Sequence, residues 1–238
     1  MAPQTRRAAI VRVLASIGLA VVAGAAAVGA QATRPSPPAG QTPDAGSWEI
    51  AGGYAFLGGY DLGTTNAELT RNTTTGGNTF VQFITDSNIE SAHAVAALLS
   101  YYFSPRLAVE GGFRFGKPVY RIELSSDAEG APDEVAEDTL DQYVISGSLV
   151  YHFPRPRSSV VPFIKAGAGY LRELHEGQEL VETGIEYHAG AGIKLWFGSA
   201  RRFGLRGEGG VSFRDGGFDF EDGLRTTPIA AVSLVYLF

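Results

Sequence analysis

The sequence predicts an all-β fold, an eight-stranded antiparallel transmembrane β-barrel with short turns at one end and long loops at the other. Apolar and polar residues alternate with a period of two along eight separate segments. Most of these segments reach the roughly 9 to 11 residues that a tilted membrane-crossing strand needs. The connections between them are alternately long and short. A soluble sheet has no reason to combine these three features.

The first 30 residues have the order of a secretory signal peptide. Three Arg residues precede an apolar run at 13–28, and small residues then suit cleavage after Ala30. The run is too rich in Ala and Gly for a comfortable membrane-spanning helix. We expect residues 1–30 to be removed on export, and an uncleaved N-terminal anchor is the alternative.

Residues 31–46 are rich in Pro, Ala, Gly and Ser, which predicts a flexible Pro-rich segment ahead of a barrel domain at 47–238. Removal of residues 1–30 takes away three Arg and no acidic residue, leaving 16 basic and 25 acidic side chains. An acidic chain of this kind argues against nucleic acid as a partner. The sequence contains no Cys, so it offers neither disulfides nor a lipid-anchored cysteine.

The alternation is clear at 106–116, where Leu107 and Phe113 share one face while Glu110 and Arg114 share the other. Such a strand suits lipid on one side only. The eight predicted strands are residues 47–57, 91–103, 106–116, 139–153, 160–171, 183–197, 203–214 and 226–238.

The connections divide into two classes by length. The long polar ones are residues 58–90, 117–138, 172–182 and 215–225, and the tight ones are 104–105, 154–159 and 198–202. Barrels of the bacterial outer membrane have short periplasmic turns and longer extracellular loops, so this pattern predicts that location and orientation.

Aromatic residues cluster near the strand ends, which predicts two girdles at the membrane interfaces. Ordinary aromatic enrichment in strands is the alternative. The residues concerned are Trp48, Tyr54, Phe56, Tyr101, Tyr102, Phe103, Tyr151, Phe153, Trp196, Phe197, Tyr236 and Phe238.

The final strand carries apolar residues at alternate positions counting back from Phe238, namely Tyr236, Leu234 and Val232. This segment resembles the C-terminal signature of bacterial outer-membrane β-barrels. Residues 101–110 and 161–170 resemble a hairpin and the fifth strand of small OmpA-like and porin-like barrel domains.

The resemblance implies several partners. Outer-membrane lipid and lipopolysaccharide would surround the barrel, and the barrel assembly machinery would read the segment from Val232 to Phe238 during biogenesis. The family includes anchors, adhesins and small-molecule channels, so the resemblance implies fold and location rather than one activity.

With the apolar faces turned outward, eight charged side chains point into the barrel. They are Glu49, Glu110, Arg114, Lys165, Glu186, Lys194, Arg206 and Glu208. Four acids meet four bases, which predicts a network of salt bridges, because an unpaired charge in a narrow interior is costly. Eight strands leave just enough room for side chains to fill the interior. We therefore expect a closed or water-lined barrel without a large pore, and a gated ion path is the alternative.

The sequence predicts no catalytic, cofactor-binding or metal-binding residues. No His among His93, His152, His175 and His188 lies in an H-x-S arrangement, and His175 falls in a predicted outer loop with Glu173 and Glu176 but no identifiable nucleophile.

Three predicted loops are otherwise notable. Acidic residues crowd 123–141 and 215–222, where a solvated loop or a divalent-cation site would fit. The Thr- and Asn-rich stretch 64–79 predicts a mobile loop tip.

The function that these observations favour is non-enzymatic, an outer-membrane barrel with an envelope-structural or surface-interaction role. A narrow channel or transporter for small solutes is the first alternative, and a barrel-embedded lipid-modifying enzyme is the second. Nothing in the sequence specifies the surface partner.

Overall fold

A computed structural model describes residues 43–73, 76–127, 132–153, 158–175, 181–198, 201–217 and 224–238. The regular structure of these residues is antiparallel β. The strands are β1 (Trp48–Leu57), β2 (Tyr60–Thr73), β3 (Gly76–Ile89), β4 (Ala92–Tyr102), β5 (Leu107–Gly116), β6 (Val119–Ser125), β7 (Glu134–His152), β8 (Val160–His175), β9 (Val181–Phe197), β10 (Phe203–Gly216) and β11 (Arg225–Leu237). In these same ranges, no helix is long and apolar enough to cross a bilayer.

Eight of the strands form a closed barrel. Their order is β7-β5-β4-β1-β11-β10-β9-β8, and pairing of β8 with β7 completes the circle. The predicted eight-stranded antiparallel barrel is therefore confirmed. Each predicted strand lies within a few residues of its observed bounds.

The first and last barrel strands meet along one seam. β1 pairs with β11 from Glu49 opposite Leu237 to Leu57 opposite Ile229. Beyond this ladder, the Trp48 N–H donates to the Phe238 carbonyl at 3.0 Å, and the Phe238 N–H donates back to Trp48 at 2.9 Å. The backbone of the terminal residue thus extends the seam to the rim that carries the short connections.

The predicted loop at 58–90 is wrong, because it contains the hairpin of β2 and β3. The predicted loop at 117–138 is wrong as well, since it contains β6 and the first residues of β7. The predicted loop tip at 64–79 also falls largely in β2 and β3. The first stretch is polar yet rich in Thr, and the second contains Val119, Tyr120, Ile122 and Val135, residue types that favour strands. Their polarity reflects exposure to water on one face rather than a lack of regular structure.

Four strands therefore continue beyond the barrel as a second sheet, here called the outer sheet. Its order is β2-β3-β6-β7. β7 belongs to both parts, because its residues 134–139 pair with β6 and its residues 140–152 pair with the barrel strands β5 and β8. The outer sheet is thus anchored to the barrel through one continuous strand.

The barrel wall turns its apolar side chains outward. Leu234 is 70% exposed and Ile145 is 63% exposed, as expected for residues that contact lipid. The predicted girdles need one correction, because Tyr102 and Trp196 are buried inside the barrel. Successive side chains of a strand point to opposite faces, so Tyr101 and Tyr102 cannot both face lipid.

Candidate functional site

The barrel interior is polar and arranged in three levels, of which the lowest lies near the short turns. Lys194 Nζ donates to Glu49 Oε1 at 2.7 Å and to the Tyr102 hydroxyl at 2.8 Å. That hydroxyl donates to Glu49 Oε2 at 2.6 Å. His152 Nε2 lies 3.5 Å from the same hydroxyl. Lys194 and Glu49 are almost completely buried, so this level is a desolvated ion pair held by a tyrosine.

The central level is built around one guanidinium group. Arg206 bonds Glu110 through both of its terminal nitrogens, with Nη2 at 3.1 Å from Oε1, and Arg206 Nε donates to Glu208 at 2.8 Å. Lys165 Nζ donates to Glu208 at 2.7 Å. The guanidinium carbon of Arg206 lies 4.6 Å from the centre of the Phe163 ring. Two bases thus neutralise two acids, with an aromatic face filling the remaining side.

The upper level continues the pairing toward the long connections. Arg114 donates to Glu186 at 2.6 Å, and Arg214 Nε lies 3.4 Å from the same carboxylate. Arg214 also donates to Gln142 at 3.1 Å, and Gln142 in turn donates to Glu173 at 2.6 Å. Glu173, Glu186 and Arg214 are all buried. Each carboxylate therefore has a donor: Arg114 reaches Glu186 across the lumen, and Gln142 reaches Glu173 from the neighbouring strand.

Tyr60 lies directly above this level and links the barrel to the outer sheet. Arg214 Nη1 donates to its hydroxyl at 3.2 Å. Burial raises the pKa of Tyr60 to about 12, and the nearby carboxylate of Glu173 acts in the same direction. Tyr60 therefore remains a neutral group at any physiological pH.

An apolar cluster covers the upper level. Leu62, Ile89, Tyr120 and Leu140 are buried against one another, and Tyr60 packs at their edge. Leu62, Ile89 and Tyr120 come from β2, β3 and β6, and Leu140 is the first barrel residue of β7, so the cluster lies where the inner face of the outer sheet joins the barrel. The cluster contacts the upper level through Tyr60, whose hydroxyl accepts the hydrogen bond from Arg214.

A small cavity of about 70 Å³ remains beside the central and upper levels. Charged residues on its lining are Arg114, Lys165, Glu186 and Glu208, and His188 lies among them. The hydroxyl of Ser148 lies 2.7 Å from His188 Nε2. A space of this size holds a few water molecules and is far too small for a lipid chain.

Residues 18–214 match the family model described as the outer membrane protein beta-barrel domain. The chain belongs to that family. It is accordingly a protein of the bacterial outer membrane. Barrels of this family sit in outer-membrane lipid and lipopolysaccharide, and they are mostly non-enzymatic. No curated protein sequence is similar enough to count as a match.

Several solved structures of outer-membrane barrels are similar to this family member. OprG from Pseudomonas aeruginosa aligns with a TM-score of 0.49 at 13% identity, covering 83% of this chain and 98% of the other. The N-terminal barrel domain of P. aeruginosa OprF aligns with a TM-score of 0.46 at 12% identity, covering 82% of this chain and 100% of the other. Neisserial surface protein A aligns with a TM-score of 0.46 at 12% identity, covering 81% of this chain and 97% of the other.

All eight charged residues that the sequence singled out point into this outer-membrane barrel, and each takes part in one of the three levels. The levels hold two further charges, Arg214 and Glu173, that sequence reasoning did not include. Arg214 shares the inward face of Arg206 and Glu208, so the alternation along β10 could have found it. The prediction that Glu173 and His175 lie in an outer loop is wrong, because β8 continues through His175.

The acidic stretches are distributed differently from the prediction. Glu123 lies in β6 and the acids from Glu134 to Asp141 lie in β7, so 123–141 is mostly sheet rather than loop. Asp215 lies in β10. Where the chain is described, no group of three or more His, Asp or Glu residues is arranged to hold a metal ion. The candidate residues Glu129, Glu176, Asp219, Glu221 and Asp222 lie outside the described residues.

Proposed function

We propose that this barrel is a closed, non-enzymatic scaffold that holds the outer sheet at the cell surface, in an envelope-structural or surface-interaction role. The observation that carries the proposal is the blocked lumen. Three levels of paired charges fill it in succession, and Tyr60 at the edge of the outer sheet's apolar cluster contacts Arg214 of the upper level.

The central level supports a closed barrel most directly. Arg206 and Glu110 are 1% and 2% exposed and tie β10 to β5 across the interior. An ion passing this level would have to separate the pair, leaving Arg206 with Glu208 and Glu110 with the more distant Lys165 in a narrow space, which is energetically costly. The packed side chains therefore act as a plug.

A narrow channel for small solutes is the second candidate. The cavity of about 70 Å³ favours it, because charged groups of both signs line a space where water can collect. The central and upper levels beside this cavity carry the paired charges that favour the closed state. Conductance through the barrel therefore distinguishes the closed scaffold from the narrow channel.

A barrel-embedded enzyme finds less support. Ser148 and His188 are the right types of residue for a nucleophile and its base, and they are within hydrogen-bond distance. They lie inside the barrel wall, however, beside a cavity too small for an acyl chain. A lipid substrate would have no route to the hydroxyl group.

We expect planar bilayers containing the purified mature protein to show no steady conductance on the nanosiemens scale. The matched comparison is the Glu110→Gln, Arg206→Gln double variant, in which the central plug loses its strongest pair. Steady nanosiemens-scale openings from the unaltered protein would refute the closed barrel and establish the channel. Solute flux into liposomes is an independent measurement of the same property.

We also propose that the segment ending in Phe238 is the assembly signal read by the barrel assembly machinery. The Phe238 side chain is 61% exposed on the outer wall, whereas its backbone makes the seam bonds with Trp48. The alternate residues Val232 and Leu234 are exposed on the same wall. A machine that contacts the barrel from outside could reach this row of side chains.

Phe238→Ala is expected to lower the amount of barrel assembled in the outer membrane several-fold. Its stability after refolding in detergent should stay within about 0.5 kcal/mol of the unaltered protein, because the seam bonds belong to the backbone. Phe203→Ala is the matched control, since Phe203 is similarly exposed on the same wall and touches Tyr236. Equal assembly of all three proteins would rule out the signal.

A further inference from the structure

The outer sheet ends in a strand with an open edge. β2 is the first strand in the order β2-β3-β6-β7, and within the described ranges no strand pairs with its other side. An antiparallel edge strand presents N–H and C=O groups on every second residue. Such an edge can accept an added strand from another polypeptide.

This edge is interrupted near its start, where Gly63 has a φ of 108°, and at a second register shift that separates Thr64–Ala67 from Glu68–Thr73. Arg225 covers its start, because its Nη1 donates to the Asp61 carbonyl at 2.6 Å and Nη2 donates to the Leu62 carbonyl at 3.4 Å. The pairing of β2 with β3 shifts between Asp61 and Gly63 and again between Ala67 and Glu68. The stretch Gly63–Ala67 lies between the two shifts. It contains no Lys, Arg or Pro, the residues that commonly protect an exposed edge.

The face of the outer sheet that points away from the apolar cluster is acidic. Asp86 and Glu123 lie directly opposite each other on β3 and β6, an arrangement of like charges that destabilises a sheet. Asp86 accepts a 3.5 Å hydrogen bond from Thr64 on the edge strand itself. Where the chain is described, neither carboxylate has an ion-pair partner. The fixed repulsion would be relieved by a cationic group from outside.

Arg121 is the exception on this face. It pairs with Glu137 at 3.4 Å and with Glu90 at 3.8 Å, so its charge is already shared between two acids. Asp61, Asp86 and Glu123 on the same face are left to attract positive charge. Asp86 lies directly opposite Thr64 of the open stretch, with Glu123 one strand further from the edge.

We propose that the edge at Gly63–Ala67 binds an extended, basic polypeptide segment as an added strand. The backbone of β2 would supply the hydrogen bonds, and the carboxylates of Asp61 and Asp86 would favour Lys or Arg at alternate positions of the partner. Glu123, two strands away from β2, would add to the negative field at low ionic strength. The start of this edge already shows this chemistry within the chain, where the guanidinium of Arg225 donates to the Asp61 carbonyl in place of a partner N–H. The proposal rests on the surface-interaction role proposed above and names the ligand class for it.

The test uses the mature protein in lipid nanodiscs and a synthetic peptide in which Lys alternates with Val. Two matched peptides separate the contributions, one with Glu in place of Lys and one with the same charge but Pro at two central positions. We expect the basic strand-forming peptide to bind at least tenfold more tightly than either control. Equal binding of the Pro-containing peptide would show that only charge acts, and this result would overturn strand addition.

Variants of the protein test the edge and the charges separately. Asp86→Asn with Glu123→Gln should weaken binding about tenfold at low ionic strength, whereas Asp133→Asn, an exposed acid outside the strands, should leave it unchanged. Thr64→Pro and Thr65→Pro each remove one N–H, and in an antiparallel strand one of the two points away from β3. The proline variant that lacks the N–H pointing away from β3 should lose peptide binding, while its barrel still migrates as a folded species on an unheated gel.

The outcomes distinguish this proposal from the closed barrel. A barrel without conductance that fails to bind the basic peptide refutes strand addition and leaves the scaffold intact. A conducting barrel that still binds the peptide refutes the scaffold and supports the edge. Retained binding by both proline variants, with their barrels folded, would also overturn the proposal.

Discussion

Arg206→Ala is expected to lower the free energy of unfolding by about 3–5 kcal/mol, the usual cost of breaking a buried ion pair from one side. Arg206 is 1% exposed and contacts both Glu110 and Glu208. Its removal leaves Glu110 with the more distant Lys165 at 3.6 Å as its nearest described base. The buried Glu110 carboxylate would then keep the hydrogen bond from the Ser100 hydroxyl at 3.0 Å but would lose its close base.

Urea unfolding of the refolded barrel in detergent or lipid measures this loss. Arg106→Ala is the matched control, because Arg106 is exposed in the turn between β4 and β5. The double variant Glu110→Gln, Arg206→Met removes the charge on both sides, and Glu208 keeps Lys165 at 2.7 Å. It should recover most of the lost stability. A loss no larger than that of the Arg106 variant would show that the central level contributes little.

Gly53→Ala is expected to lower the stability by about 3 kcal/mol, the upper end of the usual cost of overpacking. A Cβ atom at Gly53 would lie 2.1 Å from the Val232 carbonyl oxygen and 2.5 Å from the Ser233 Cα atom. These are backbone atoms of the partner strand, so rotation of a side chain cannot relieve the contact. The seam between β1 and β11 would have to widen.

Gly52 is a matched control on the opposite face of the same strand. A Cβ atom there meets nothing within 4 Å. Gly52→Ala should therefore be neutral or stabilise the barrel by up to about 1 kcal/mol through the unfolded state. Urea midpoints and the yield of heat-modifiable folded barrel compare the two variants directly. Equal behaviour of the pair would contradict the close approach of the seam.

The barrel was predictable because its strands follow a strong physical rule. Lipid on one side and a charged interior on the other produce a strict alternation, so the eight strands and the inward direction of Glu110 and Arg114 could be read residue by residue. The way the charges pair could not be read in the same manner. Lys194 meets Glu49 from a strand that is not its neighbour, and that contact depends on how the sheet closes.

The outer sheet was not predicted because its strands show only a weak alternation of apolar and polar residues. Its strands contact water on one face and a small apolar cluster on the other, so only a few positions such as Leu62 and Ile89 are strongly apolar. Register shifts in β2 interrupt the period further. Glu173 was misplaced because β8 continues to His175, so a polar residue that lines the barrel interior was taken for the start of a loop.

The stacked ion pairs have a consequence for how the chain finds its alignment. If one strand slipped past its neighbour by two residues, every apolar side chain would still face lipid, so the wall alone cannot detect the error. The same slip would move an interior carboxylate by about 7 Å and separate it from the base with which it pairs. Pairs that span the lumen, such as Glu49 with Lys194, penalise this error. The interior ion pairs can therefore all form in only one register of the strands, and they select that register during folding.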